Sequence, residues 1–198
     1  ERIKSIKHTN FKKYTHKILG GWLDKAEGVV FDNWSIGEFN PDNLQVSCGL
    51  DFGFSVDPDS LTSVAIDKKH KKIYLKEEVY RNGLKSHELA AIILDKVADT
   101  LCIADSSEPR LIADLKHLGV NIKAVKKGTI ESGITRMQDY HLVVSPESTN
   151  IAKELNNYIY SDKSSKLYVD NYNHAIDGIR YNVIYHLDNP NAGKYFVQ

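Results

Sequence analysis

The chain has 198 residues, 41% of them apolar, and its 26 Lys and Arg are balanced by 26 Asp and Glu, so the formal charge is zero. That size allows one well-buried domain with an attached segment, and with no tract resembling a signal peptide or membrane span a soluble, cytosolic protein is expected. The neutral balance argues against a domain that grips nucleic acid by overall charge alone, and the two cysteines, Cys48 and Cys102, lie in apolar runs that read as reduced core. A start at Glu1 rather than Met reads as a fragment of a longer protein.

Residues 1–43 lack sustained periodicity and carry Lys12-Lys13, Gly20-Gly21 and Pro41-Asp42-Asn43, the composition of an arm or linker. Within them Trp22, Val29-Val30-Phe31 and Trp34 are apolar enough to pack on the domain, which is expected to span 44–198. Strands are predicted near 45–53, 61–67 and 72–80, separated by Asp57-Pro58-Asp59 and by Asp67-Lys68-Lys69-His70-Lys71, an antiparallel meander. Ser86 is expected to cap a helix over 87–99 whose stripe is Leu89, Ile92, Ile93 and Val97.

A strand at 101–104 follows, then a helix from Pro109, a residue suited to a first helical turn, which Gly119 ends. Strand 121–125, a short helix near 130–138, strand 141–144 and a helix from Glu147 to Tyr160 continue the alternation. The last helix spans about 173–187, with Ile176, Ile179, Val183 and Leu187 as its apolar stripe and His174, Asp177 and Tyr181 off it. A meander followed by alternating helices and strands gives an α/β fold, a mixed sheet flanked by helices.

Three aspartates stand out. Asp51 lies inside the apolar strand segment Leu50-Asp51-Phe52-Gly53, where an uncompensated carboxylate would cost several kcal/mol, so it needs a metal, a cation or a hydrogen-bond network. Asp105 ends the run Leu101-Cys102-Ile103-Ala104; its plain alternative is a loop acid beside a helix capped by Ser106 or Ser107. Asp177 pairs with His174 at i, i+3 on one helix, and the plain alternative is an exposed contact of small value. Helix–sheet packing can assemble all three, and a carboxylate cluster attracts divalent metal, which beside phosphate cuts phosphodiesters. Gly128 and Gly133 have P-loop spacing, but Ile134-Thr135 stands where Lys-Ser/Thr is required, so no ATP hydrolysis is expected of this chain.

Leu50-Asp51-Phe52-Gly53, Ala104-Asp105-Ser106-Ser107-Glu108-Pro109 and Asn173-His174-Ala175-Ile176-Asp177-Gly178-Ile179-Arg180-Tyr181 together resemble the nuclease domain of the large terminase subunit of tailed double-stranded DNA bacteriophages. Glu27-Gly28-Val29-Val30-Phe31 with Trp34 is similar to the stretch joining that protein's ATPase domain to its nuclease, and Lys127-Gly128-Thr129-Ile130 with Gly133-Ile134 fits the family's middle region. The resemblance implies a ribonuclease-H-like fold and a divalent-metal-dependent endodeoxyribonuclease that cuts concatemeric viral DNA during packaging, in the cytoplasm of an infected bacterium. It implies Asp51, Asp105 and Asp177 as metal ligands, with His174 at the rim as ligand, orienting group or proton shuttle. The metal would be Mn²⁺ or Mg²⁺, as two ions about 3.5–4 Å apart, with Asp51 bridging. The implied partners are double-stranded DNA, an ATPase domain preceding residue 1, the small terminase subunit and the portal protein.

Without metal the three carboxylates would repel one another and raise each other's pKa, so metal should stabilise the fold. Lys126 and Lys127, in the loop after a strand, are the expected phosphate contacts; Lys163 and Lys166 are further candidates, while the tip Lys68 to Lys72 reads as a solvated turn. Glu108 is expected at a helix N-terminus rather than on metal. Residues 161–172 read as a surface loop or a gate. No base-reading motif occurs, so cutting is expected to be nearly sequence-independent. The rival readings are another nuclease of the same fold, resolvase or transposase-like, and a non-catalytic docking module.

Overall fold

The computed structural model describes residues 28–53, 56–126, 128–162, 164 and 167–188. Its elements in chain order are β1 (Trp34–Ile36), β2 (Val46–Asp51), β3 (Pro58–Asp67), β4 (Lys72–Asn82), α1 (Ser86–Val97), β5 (Cys102–Asp105), α2 (Pro109–His117), β6 (Ile122–Val125), α3 (Ile130–Gln138), β7 (His141–Val144), α4 (Thr149–Asn157), β8 (Tyr160–Asp162), β9 (Leu167–Tyr168) and α5 (His174–Asp188). Seven strands form one sheet in the order β1-β7-β4-β3-β2-β5-β6. Only β3 runs against the others, so the carboxyl ends of β2, β4, β5, β6 and β7 lie along one edge. The expected mixed sheet flanked by helices is present.

Strand alternation sorts side chains to the two faces. Cys48 and Leu50 of β2, with Cys102 and Ala104 of β5, pack with Leu89, Ile93, Ile112 and Leu115 from α1 and α2. Val64, Ile73, Leu75, Leu142 and Val144 pack the other face against α3, α4 and α5 through Ile134, Met137, Ile151, Leu155, Ile176 and Ile179. Val30 and Phe31 are buried in that second layer, and Trp34 packs against it partly buried. Among the described residues, no helix is long and apolar enough to cross a membrane.

Several boundaries differ from the pattern-based ones. Trp34–Ile36, inside the segment read as an arm, forms an edge strand parallel to β7. Pro58 and Asp59, read as part of a turn, begin β3. Ser86 is the first helical residue rather than the cap: Lys85 precedes the helix, and its N–H donates to the Glu88 carboxylate at 2.9 Å. Gly119 follows α2 at φ +94°, the left-handed position that glycine fills at least cost.

The helix expected over Glu147–Tyr160 shortens to Thr149–Asn157. A turn in which the Ser148 N–H donates to the Ser145 carbonyl (3.0 Å) delays its start. At its far end Tyr158 is extended, accepts from the Val30 N–H (2.9 Å), and leads Tyr160 into the small β8–β9 ladder. Trp22, Lys12-Lys13, Gly20-Gly21, Lys127, Lys163 and Lys166 lie outside the described residues.

Candidate metal centre

Asp51 and Asp105 are the last residues of β2 and β5, which pair in parallel with Leu50 opposite Ala104. One further step along that register sets the two aspartates side by side. Because Leu50 and Ala104 face α1 and α2, both aspartates face the opposite side, where α5 lies across the sheet. α5 can lie close because two glycines meet there: a Cβ on Gly49 would overlap the Gly178 carbonyl. Gly178 directly follows Asp177, so this backbone contact brings the helix-borne carboxylate to the level of the strand-borne ones.

The side chains form a charged network. His174 Nδ1 is 3.2 Å from Asp51 Oδ2, and the Tyr181 hydroxyl donates to Asp51 Oδ1 at 3.4 Å. Burial pushes the Asp51 carboxyl up to about 6; the His174 hydrogen bond opposes this and the charge of Asp177 adds to it. The same hydrogen bond, with the Asp51 charge behind it, raises His174 above its usual range against the cost of burial. His174 Nε2 faces the half-exposed Asp57 at 3.6 Å.

Asp177 Oδ1 accepts from both Nε and Nη2 of Arg180, at 3.1 and 3.0 Å. Arg180 is only 1% exposed, and it fits because Gly133 of α3 has no side chain; a Cβ there would overlap the Arg180 stem. The buried Asp105 accepts from the Ser107 hydroxyl. Ser107 thus serves the aspartate instead of capping α2, whose preceding residue is Glu108. Burial first, and then the charges of Asp177, Asp51 and Asp105, hold the Tyr181 hydroxyl well above its usual range, so the three aspartates share one electrostatic neighbourhood.

The donors suit a hard divalent cation: carboxylate oxygens from two adjacent strands and a helix, with an imidazole at the edge. Burial, with the charge of Asp177 added, disfavours the Asp51 carboxylate, and a cation bound there would offset that cost. As placed, no three His, Cys, Asp or Glu among the described residues close into a ready-made cage. Arg180 takes one oxygen of Asp177, and the Ser107 hydroxyl donates to Asp105.

Lys126 is exposed just beyond β6, next in the sheet to β5. Sequence reasoning did not single out Arg180, Tyr181 as a partner of Asp51, Asp57, or the buried Glu154. The i, i+3 spacing of Asp177 and Arg180 was a usable signal for the first. α5 is also buried nearly all round, including Gly178, Arg180, Tyr181 and Asn182, because its polar face meets β2 and α3 rather than solvent.

Residues 51–184 match the family model of the terminase RNase H-like domain. The large terminase subunit of Bacillus phage SPP1 is 34% identical over 91% of this chain and 47% of its own length, so the chain spans about half of that relative. The crystal structure of the g2p (large terminase) nuclease domain from bacteriophage SPP1 with bound Mn matches with a TM-score of 0.68 at 31% identity, covering 77% of this chain and 96% of that one. The P22 large terminase nuclease domain matches with a TM-score of 0.67 at 15% identity over 79% and 91% of the two chains, a likeness of fold alone. The family match begins at Asp51 and runs through the first turns of α5, across the strands and helices that gather the three aspartates: the chain belongs to the terminase RNase H-like domain family.

Proposed function

We propose that this chain is a divalent-metal-dependent DNA endonuclease, the cutting domain of a phage packaging motor that severs concatemeric viral DNA in the host cytoplasm. The observation that carries the reading is the placement of Asp51, Asp105 and Asp177 on one side of the sheet at its carboxyl edge, in a member of this family. The SPP1 relative with bound Mn supports Mn²⁺ or Mg²⁺ as the cofactor. A linker ahead of the domain belongs to the same proposal, ending before Val30 rather than at 43, because Val30, Phe31 and β1 are part of the domain itself. So do double-stranded DNA as substrate and an ATPase domain, a small terminase subunit and a portal protein as partners.

In this reading Asp51, Asp105 and Asp177 would hold the cation or a pair of cations, with Asp51 of the inner strand β2 as the shared ligand. Bound there, divalent ions supply the Lewis acidity and charge neutralisation that phosphodiester hydrolysis requires. Arg180 engages only Oδ1 of Asp177, leaving the second oxygen to point elsewhere. His174 stands at the rim with Nδ1 against Asp51 and Nε2 toward Asp57, where it can orient Asp51 or exchange a proton with the substrate. Lys126 and Lys127 bind phosphate oxygens without reading bases, so the place of cutting is set by partners.

The test is incubation of the purified chain with supercoiled plasmid in EDTA, Mg²⁺ or Mn²⁺, beside Asp51→Asn. Nicking and linearisation that need metal and fall by ~10²-fold or more in the folded mutant are expected. Metal-independent cutting, or full activity in Asp51→Asn, would remove the reading; a folded parent that neither cuts nor binds metal would favour a docking module.

A further inference from the structure

The first turn of α5 carries His174 and Asp177, and the first N–H groups of any helix have no partner within it. Asn173 immediately precedes this helix, but its side chain donates to Asp170 at 3.1 Å instead of capping. The partner comes from another helix. Glu154 of α4 accepts from the Ile176 N–H, its Oε2 3.0 Å from that nitrogen. Its Oε1 accepts from the Tyr80 hydroxyl of β4 at 2.9 Å. Glu154 is 1% exposed, a costly place for a carboxylate that the ordinary cap, a local Ser, Asn or Asp, would avoid.

A second carboxylate stands behind it. Glu77 of β4 accepts from the Asn150 and Ile151 N–H groups at 3.0 and 3.2 Å and from the Asn150 amide at 2.7 Å, fixing the start of α4. The two acids thus act in series, from the sheet to α4 and from α4 to α5. The N–H group that Glu154 holds, that of Ile176, lies between His174 and Asp177.

We propose that Glu154 is a positioning residue of the nuclease site: it reaches across from α4 to fix the first turn of α5, so that Asp177 and His174 stand against Asp51. The assignment rests on the metal-nuclease reading above. What it requires of residue 154 is reach and an acceptor oxygen, rather than charge. Glutamine has both, whereas aspartate keeps the charge and is one methylene too short.

The experiment measures Mn²⁺ binding by titration calorimetry for the parent chain, Glu154→Gln and Glu154→Asp, each well below its Tm, with plasmid cleavage as a second readout. Glu154→Gln is expected to bind within about twofold of the parent and Glu154→Asp roughly tenfold more weakly. Parent-like binding in both variants, equal loss in both, or loss in Glu154→Gln alone would overturn the assignment, the last assigning the effect to charge. A parent that neither binds Mn²⁺ nor cuts would instead sink the nuclease reading on which it rests.

Discussion

His174 and His186 stand at opposite ends of α5, and each imidazole bonds to β2, yet their environments drive them in opposite directions. His174 meets the Asp51 carboxylate, which favours the imidazolium and raises its pKa. His186 lies 2.8 Å from the Ser47 hydroxyl, beside Asn182 and under the Lys68 ammonium, whose donation to the His186 carbonyl holds it near. Burial first and that positive charge second lower His186 to about 4. The difference teaches that one helix–strand contact can hold an imidazole toward its charged form at one end and toward its neutral form at the other. The strand partner, carboxylate or hydroxyl, decides which end is which.

The largest disturbance of this contrast should come from its middle, where Gly49 and Gly178 touch. Gly49→Ala drives a methyl into helix backbone that cannot give way, and should cost ~3 kcal/mol or more. Thermal unfolding of the variant should begin several degrees lower, and both histidine contacts should weaken together. A parent-like Tm would show that the two elements are not held by this approach.

A smaller effect should isolate the neutral end. His186 binds a proton less readily folded than unfolded, so its share of stability is present above about 6.5 and is lost as pH falls toward about 4. Asp51 and Glu154, held up near 6 and 7, act with the opposite sign: they favour the folded state when protonated, and that contribution disappears as pH rises through those values. The informative quantity is therefore the difference between parent and His186→Gln in denaturant unfolding at pH 7 and pH 4.5. The variant should lose roughly 1–2 kcal/mol less on acidification, after allowance for solvent screening. Equal losses would place the acid sensitivity elsewhere.

The smallest effect is expected at the rim. Asp57 is half exposed and 3.6 Å from His174, so Asp57→Asn should change stability by less than about 0.5 kcal/mol and leave the Asp51 contact in place. A drop in Tm of many degrees would make Asp57 a structural partner of the charged end.

Much of this was legible from the residues. Apolar runs placed Asp51 and Asp105 in or at the end of strands, whereas both strands are buried along their length, so the face of each aspartate follows only from the register between them and from the helices that cover each side. The i, i+3 spacing of His174 and Asp177 likewise placed both on one turn. The role of Glu154 was not legible, because its amide partner belongs to α5 and no spacing within α4 announces it. β1 was missed because three residues are too few to show a period, and only pairing with β7 makes them a strand. The end of α4 was misplaced because Tyr158 turns out of the helix to pair with Val30, a tertiary event.

The glycine contact has a consequence for cooperativity. Side-chain contacts can loosen one by one on warming, but Gly178 rests directly on β2 backbone and has no side chain to repack. The first turn of α5 therefore cannot lift from the sheet without parting a core that includes Ile176 and Ile179. Local opening at the aspartates should cost nearly as much as opening the whole domain, so heat inactivation should follow global unfolding instead of preceding it.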